Sequence, residues 1–176
     1  MRFDLNEAES GGGGAIFYDD LKLECNDCEL SGTNKAVYGA TVATSARALT
    51  RFEESTLKVE GRGLDIIAAS AVPMPEIVLT MLDEQGASVT NAPLLVTADA
   101  EGTAIVSGTS RVEFQNGRAV FTNLRLTSSP GSLHWLVFKV PSSYTGKISE
   151  DDERYVVEKG KLYMQLRLRV KLRECK

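Results

Sequence analysis

The longest regular pattern in the chain lies near its carboxyl end, where apolar and polar residues alternate strictly from Leu162 to Arg173. Such a period of two is typical of a β-strand that buries one face and exposes the other. The leucine face is expected to lie inward, because burying even one unpaired cation costs several kcal/mol. The outward face then includes four cations, namely Arg167, Arg169, Lys171 and Arg173.

Shorter apolar or alternating segments, separated by turn residues, continue this pattern from residue 56 onward. They predict strands at 56–60, 66–69, 76–82, 94–98, 104–106, 111–114, 119–121, 124–127 and 133–138. Asn116-Gly117 lies between two of them and predicts a β-hairpin, since both residues accept the positive φ angles of a tight turn. Evenly spaced short strands of this kind indicate a β-sandwich.

The amino-terminal region has a different pattern, because four glycines, Gly11 to Gly14, precede its first apolar segment. A phosphate-binding loop is excluded, since neither a Lys-Ser/Thr pair nor a helical pattern follows them. A linker fits Gly11 to Gly13, but residues 15–18 are too apolar to remain in solvent. Gly14-Ala15-Ile16 is echoed by Gly39-Ala40-Thr41 at a spacing of 25 residues, which predicts one coil of a parallel β-solenoid.

The same segment also carries a resemblance to a known family. Gly13-Gly14-Ala15-Ile16, followed by a Cys/apolar-x-x-x-Asn turn, resembles the repeat of polymorphic outer-membrane proteins and related surface β-helices. The resemblance covers about residues 10–46 and one full period. It implies the last coil of a longer array, because a stable solenoid needs about three or more coils.

A second resemblance covers about residues 75–176. The run Val120–Leu126, then Pro130-Gly131-Ser132 and a strand ending at Phe138, resembles immunoglobulin-like repeats of the invasin and filamin type. It is most similar to such repeats in large surface proteins of algae and other protists. There, a β-helix precedes the sandwich and a Leu-Arg-Glu-Cys run, like residues 172–175, opens a cysteine-rich module. The resemblance implies a structural or adhesive role at the cell surface or outside the cell.

These patterns together predict an all-β chain in which a partial parallel β-solenoid coil packs on an immunoglobulin-like β-sandwich. The coil is assigned to residues 1–50 and the sandwich to residues 51–176, with an acidic loop near residues 145–160. A chain of 176 residues buries roughly 70% of its unfolded surface, so it needs no disulfide or metal cross-link to fold.

Composition limits the expected partners. The net charge of −4 gives no general attraction to nucleic acid or to acidic membranes, and no nucleic-acid partner is expected. No apolar run approaches the roughly 20 residues of a membrane span. The start of the chain lacks the basic and apolar stretches of a signal peptide, so a secreted parent would begin upstream of Met1. The chain is therefore expected to be a fragment of a longer protein.

Residues suited to catalysis or metal binding are scarce. The only histidine, His134, lies among apolar neighbours, as a packed side chain does. Cys25-x-x-Cys28 supplies half of the four ligands of a structural zinc site, which leaves buried thiols or a local disulfide as interpretations. Neither Asp19-Asp20 nor Asp151-Asp152 forms a hydrolytic pair, because successive strand residues face opposite sides. No catalytic residue, cofactor or metal is predicted.

The remaining candidate is an interaction face formed by Trp135 and the cations of the carboxyl-terminal strand. The simpler interpretation is a solvated face that acidic residues 150–153 partly neutralise, and the other is a binding face for a carboxylate-rich neighbour or a polysaccharide. We expect a non-catalytic structural or adhesive module that assembles with neighbouring domains or with copies of itself. The alternative is a carbohydrate-binding module that uses Trp135, Tyr144 or the basic face. A β-helix polysaccharide-cleaving enzyme is a weaker alternative, since one coil cannot build a long cleft.

Overall fold

The computed structural model describes residues 2–19, 28–30, 32–52, 66–144, 146–149 and 151–174. Within these ranges the chain forms seventeen strands and no helix, so the prediction of an all-β chain is confirmed. No segment in the same ranges forms a helix of the length and hydropathy that crossing a membrane requires.

Parallel pairing characterises the amino-terminal region. Its strands are β1 (Arg2–Phe3), β2 (Glu7–Gly12), β3 (Ile16–Phe17), β4 (Glu29–Leu30), β5 (Lys35–Tyr38) and β6 (Val42–Ala43). Strand β1 pairs with β4, β2 with β5, and β3 with β6, all in parallel. Paired residues are 26 to 28 positions apart, from Ile16 with Val42 to Glu7 with Lys35. One stretch of chain therefore runs beside the next in the same direction.

Hydrogen bonds continue this pairing through the turns between the strands. The backbone N–H of Gly14 donates to the carbonyl of Ala40 at 3.0 Å, and that of Tyr18 donates to Ala43 at 3.1 Å. Before β2, the backbone and side-chain nitrogens of Asn6 both donate to Oδ1 of Asn34 at 2.9 Å. Asn34 is buried, so these bonds provide partners for a polar side chain that water does not reach.

The glycine echo is present in the structure, but the predicted spacing of 25 residues is wrong. Gly13 and Gly39, 26 residues apart, are the equivalent positions, and both have positive φ, at 71° and 53°. In the sequence, the echo consists of two Gly-Ala dipeptides, Gly14-Ala15 and Gly39-Ala40. What repeats is the turn residue in the left-handed region, which glycine adopts without steric strain.

Eleven further strands follow. They are β7 (Ala48–Arg51), β8 (Ile66–Ala68), β9 (Ile77–Leu82), β10 (Leu95–Ala100), β11 (Ile105–Gly108), β12 (Arg111–Glu113), β13 (Arg118–Phe121), β14 (Leu124–Thr127), β15 (Leu133–Pro141), β16 (Tyr155–Glu158) and β17 (Lys161–Leu172). Every segment predicted as a strand between residues 66 and 138 overlaps one of them. The strand predicted at 56–60 lies outside the described residues.

These strands form three sheets around one core. The order β12-β10-β15-β17-β16, with β8 parallel to β17, gives a six-stranded sheet. The other two sheets are β13-β9-β7 and the pair β11-β14. Their inward side chains form a single hydrophobic cluster, in which the fully buried rings of Phe121 and Phe138 meet edge to face at 5.1 Å. Strand β7 straddles the boundary predicted at residue 50, and it pairs with β9.

Strand β17 has the register that its alternation predicts. Met164, Val170 and Leu172 are buried, and Leu168 packs against the same core from a half-buried position. Arg169 and its neighbours on the opposite face point away from the core. The twelve-residue strand therefore separates its leucine face from its cationic face along its whole length.

The predicted hairpin at Asn116-Gly117 is limited to its turn. Both residues have positive φ, and Gln115 and Arg118 exchange backbone hydrogen bonds across them. Beyond that point β12 pairs with β10, whereas β13 pairs with β9 in another sheet. The strands separate because the apolar residues on the two sides of the turn reach the common core from different sheets.

The stretch predicted as an acidic loop contains a strand. Strand β16 pairs antiparallel with β17, and the turn between them holds Lys159 and Gly160 at positive φ. The segment Tyr155–Glu158 is short and directly follows charged residues, so its pattern alone did not indicate a strand.

Candidate interaction face

The structure brings Trp135 together with the cations predicted on β17. Strands β15 and β17 are antiparallel neighbours, in which Trp135 pairs directly with Arg169. Two residues to either side, Leu133 pairs with Lys171 and Val137 pairs with Arg167. Alternate strand residues share a face, so all of these side chains lie on the outer side of the six-stranded sheet. Arg173 follows the end of β17 and is exposed.

Exposed apolar side chains border these cations, although the sequence analysis did not single them out. Leu133 is 52% exposed and Ile67 is 57% exposed, compared with 39% for Trp135. Ile67 pairs with Lys171, which in turn pairs with Leu133, so the three form a row across β8, β17 and β15. We call the set Ile67, Leu133, Trp135, Arg167, Arg169, Lys171 and Arg173 the Trp135 face.

Arg167 is held against this face by two contacts. Its guanidinium carbon lies 4.9 Å from the centre of the Trp135 ring, and Nη2 donates to Oε2 of Glu101 at 2.6 Å. The guanidinium and the ring attract each other, which contributes about 0.5–1 kcal/mol at partly exposed sites. Arg167 therefore orients the Trp135 ring. Its own side chain packs against the face and is only partly exposed to water.

The carboxylate that binds Arg167 differs from the one expected. Glu101 comes from the turn after β10, whereas the sequence pointed to the acidic residues 150–153. Within that loop Asp152 pairs with Arg154, whose hydrogen bond to the carboxylate lowers the pKa of Asp152 below its ordinary value. The acidic loop thus has a cation of its own, and Arg167 of β17 pairs with a carboxylate from the end of β10, two strands away in the same sheet.

A serine and a histidine meet close to the Trp135 face. Ser132 Oγ lies 2.7 Å from Nε2 of His134, and the same hydroxyl donates to the carbonyl of Ser129. The imidazole tautomer decides which of the two atoms donates in this hydrogen bond.

The other candidates from the sequence were a disulfide between Cys25 and Cys28 and, from the same cysteines, half of the ligands of a zinc site. Cys28 is disulfide-bonded, and Cys25, its predicted partner, lies outside the described residues, so the pairing stays a prediction. In the described part of the chain, no group of three or more His, Cys, Asp or Glu side chains is arranged to hold a metal ion.

The edges of the parallel sheets form a second candidate interface. Each of these sheets has two strands in the described ranges, so each strand has one edge that no described strand pairs. Phe17, Leu30 and Val37 are exposed along this region. Unpaired backbone N–H and C=O groups at a strand edge are a template for pairing with another chain.

Comparisons of the chain with protein-family models, with curated proteins and with solved structures found no match. The geometry of its own residues is therefore the basis for a functional proposal.

Proposed function

We propose that this chain is a non-catalytic structural or adhesive module of a large extracellular or cell-surface fibrous protein. In this proposal residues 2–43 belong to a coil of a parallel β-solenoid, and the strands from β7 onward form an immunoglobulin-like sandwich that acts as a spacer. Its partners are neighbouring domains of the same protein or other copies of the module.

The observation that carries the proposal is the pairing in the amino-terminal region. Three successive parallel pairs keep an offset of 26 to 28 residues, and hydrogen bonds link the two stretches of chain through the turns as well as the strands. An offset that varies by only two residues across three strand pairs is typical of stacked solenoid coils. Among the described residues the stack has two layers, and in this proposal its edges accept a further layer.

The sheets around the common core support the second half of the proposal. Antiparallel sheets contribute inward side chains to one core, and β8 joins the sheet by running parallel to its last strand, β17. Short antiparallel strands and tight turns around one common core are features that an immunoglobulin-like sandwich also has, and they support this half of the proposal. Such a domain spaces the coil from whatever follows it along the chain.

The Trp135 face supplies a second contact surface in this proposal. An exposed tryptophan, with Leu133 and Ile67 beside it and arginines around it, has the composition of a protein contact, where aromatic residues and arginine are enriched. The cations favour a partner surface that carries carboxylates.

Self-association of the purified chain tests the stacking proposal. Val37 is exposed on β5, and Val37→Lys places a charge beside the unpaired edge, a substitution that opposes edge-to-edge pairing. We expect the wild-type chain to associate reversibly in sedimentation equilibrium, and Val37→Lys to weaken the association at least about tenfold, or 1.4 kcal/mol.

Val157→Lys is the matched control, because Val157 is an exposed valine on β16, at the edge of the six-stranded sheet. It should leave association unchanged. A wild-type chain that stays monomeric at every concentration, or equal effects of the two substitutions, would contradict assembly through the parallel edges.

A further inference from the structure

Two segments of this chain carry opposite charges. Residues 1–43 contain eight acidic and three basic side chains, which gives a net charge of −5. Residues 161–176 contain six basic side chains and one acidic side chain, which gives a net charge of +5. Among the described residues, no ion pair joins one segment to the other. The described part of the chain therefore does not use one segment to neutralise the other.

On the cationic segment, the unneutralised charges lie at one end of the Trp135 face. Lys171 and Arg173 are exposed, and neither makes an ion pair with a described residue. Lys171 lies between the exposed side chains of Leu133 and Ile67, in the row that crosses three strands. This end of the face thus combines free cations with exposed apolar side chains.

On the acidic segment, strand β2 carries two carboxylates with a matching spacing. Glu7 and Glu9 are exposed, alternate along the strand and make no ion pair with a described residue. Alternate residues of a strand share a face and lie roughly 6.4–6.8 Å apart, and the same spacing separates the outer cations of β17. Two carboxylates of β2 can therefore face two of these cations at the same time.

An exposed leucine precedes these carboxylates. Leu5 is 78% exposed, the largest value among the large apolar side chains of the described ranges, and its backbone φ is 54°. A bulky residue seldom adopts this left-handed region, and such conformations cluster at functional sites. Leu5 gives the acidic strand an apolar neighbour, as Leu133 and Ile67 do for the cations.

The charges of the Trp135 face exclude a symmetric contact. Two copies of this face would bring cations against cations, and like charges across an interface strongly disfavour it. The opposite charge lies on another part of the same chain, so a second copy can supply it. A contact between different surfaces of identical chains is heterologous, and it repeats from copy to copy as a ring or a filament.

We infer that the Trp135 face of one copy docks on strand β2 of a second copy, with Lys171 and Arg173 against Glu7 and Glu9. Exposed apolar side chains on both surfaces leave water in the same contact, as they do at the centre of other protein interfaces. The inference rests on the proposed function, because it names the partner of the Trp135 face in an assembling module. The contact differs from stacking at the parallel edges, which uses backbone groups.

Charge reversal followed by sedimentation equilibrium at low salt tests the inference. Lys171→Glu and Glu9→Lys each place like charges in the contact, and we expect each to weaken association of the full chain at least about tenfold. A mixture of the two variants should recover association. The native Lys171 and Glu9 meet in one type of junction of the mixture, and the two substituted residues meet in the other. Recovery also shows that both variants are folded.

Lys161→Glu and Glu76→Lys are the matched controls, because both residues are exposed and the substitutions change the net charge by the same amounts. Lys161 lies on the same strand as Lys171, about 33 Å along it and outside the Trp135 face. Both controls should associate as the wild-type chain does. Reversals no stronger than the controls, or a mixture that does not recover, would overturn the inference. Binding of polygalacturonate by a wild-type chain that stays monomeric would overturn it as well, and would assign the face to an acidic polysaccharide.

Salt dependence tests the contact without any substitution and separates it from stacking. Raising NaCl from about 0.1 M to about 1 M shortens the Debye length from about 10 Å to about 3 Å, so the ionic contact should weaken. Edge pairing through backbone groups does not depend on these charges and should persist. Association that is lost at high salt supports this inference and contradicts stacking. Association that is equal at both salt concentrations, and that Val37→Lys weakens, contradicts this inference and supports stacking.

Discussion

Different interactions stabilise the two regions of this molecule. From β7 onward, large apolar side chains such as Phe121, Phe138 and Leu126 are fully buried in one core. In the amino-terminal region, short parallel strands are joined by backbone hydrogen bonds, by stacked asparagines and by glycine turns, and its buried residues are small or polar, such as Asn34, Ala43 and Thr44.

This difference indicates that the packing of large apolar side chains determines the fold from β7 onward. In the amino-terminal region, backbone hydrogen bonds and turn geometry determine the fold. Burial of a large apolar side chain contributes about 1.5–3 kcal/mol, whereas a net backbone hydrogen bond contributes about 0.5–1.5 kcal/mol. The amino-terminal region should therefore be the less stable one by itself, and it should gain more from a neighbour that continues its sheets.

The largest expected effect comes from the core. Phe138→Ala removes a fully buried ring that packs on Phe121, and we expect a loss of about 3–5 kcal/mol in the free energy of unfolding. Denaturant unfolding followed by circular dichroism measures it. Val157→Ala, at an exposed position, should change the same quantity by less than about 0.5 kcal/mol. Similar losses for both variants would mean that the core does not dominate this region.

An intermediate effect is expected from the glycine run. A Cβ on Gly14 would lie 2.3 Å from the carbonyl oxygen of Ala40 and 2.5 Å from that of Lys35, whereas a Cβ on Gly11 meets no atom within 4 Å. Gly14→Ala forces the two stretches of chain apart, and overpacking of this kind costs about 1–3 kcal/mol.

Hydrogen exchange measured by mass spectrometry locates that loss. Gly14→Ala should reduce the protection of residues 12–18 and 35–43 and leave β15 and β17 protected. Gly11→Ala should leave both regions as they are. Unchanged protection in Gly14→Ala would refute the close approach of the two chain stretches, and equal loss throughout the chain would refute the separation into two differently stabilised regions.

A structural feature of this molecule can be predicted from the sequence when it depends on residues that are neighbours along the chain. The alternation in β17 specifies which face is buried, and Asn116-Gly117 specifies its turn, because each depends on neighbouring residues. Local patterns do not specify which strands become partners. The pairing of Ile67 with Lys171 and the ion pair of Arg167 with Glu101 join residues distant in sequence, and only the folded chain brings them together.

The glycine echo shows the same limit on a smaller scale. Matching residue identities pairs Gly14 with Gly39. The residue that shares the positive φ of Gly39 is Gly13. A run of four glycines offers several alignments, and only the packing of each position separates them. Gly12 lies against the Tyr38 ring, Gly14 lies against backbone, and Gly11 faces open space.

The smallest expected effect concerns Tyr155, which ties β16 to the segment that connects the two regions. Its hydroxyl donates to the carbonyl of Arg47, the residue that precedes β7, and Tyr155→Phe removes this bond at a cost of about 0.5–1.5 kcal/mol. Burial of the side chain raises the pKa of Tyr155 above its ordinary value. The fold therefore favours the protonated phenol more strongly than the unfolded chain does.

This preference gives the molecule an alkaline pH dependence. The contribution of Tyr155 is fully present below the pKa of an unfolded tyrosine, about 10, and it is lost as the pH rises through the higher pKa of the folded state. Stability should therefore decline above pH of about 10, and it should decline less steeply in Tyr155→Phe than in the wild-type chain. Tyr38→Phe is the matched comparison, because burial also raises the pKa of Tyr38, whose hydroxyl donates to Thr44 within the amino-terminal region. If Tyr155→Phe leaves both the stability at neutral pH and the alkaline slope unchanged, the hydroxyl of Tyr155 does not stabilise the segment that connects the two regions.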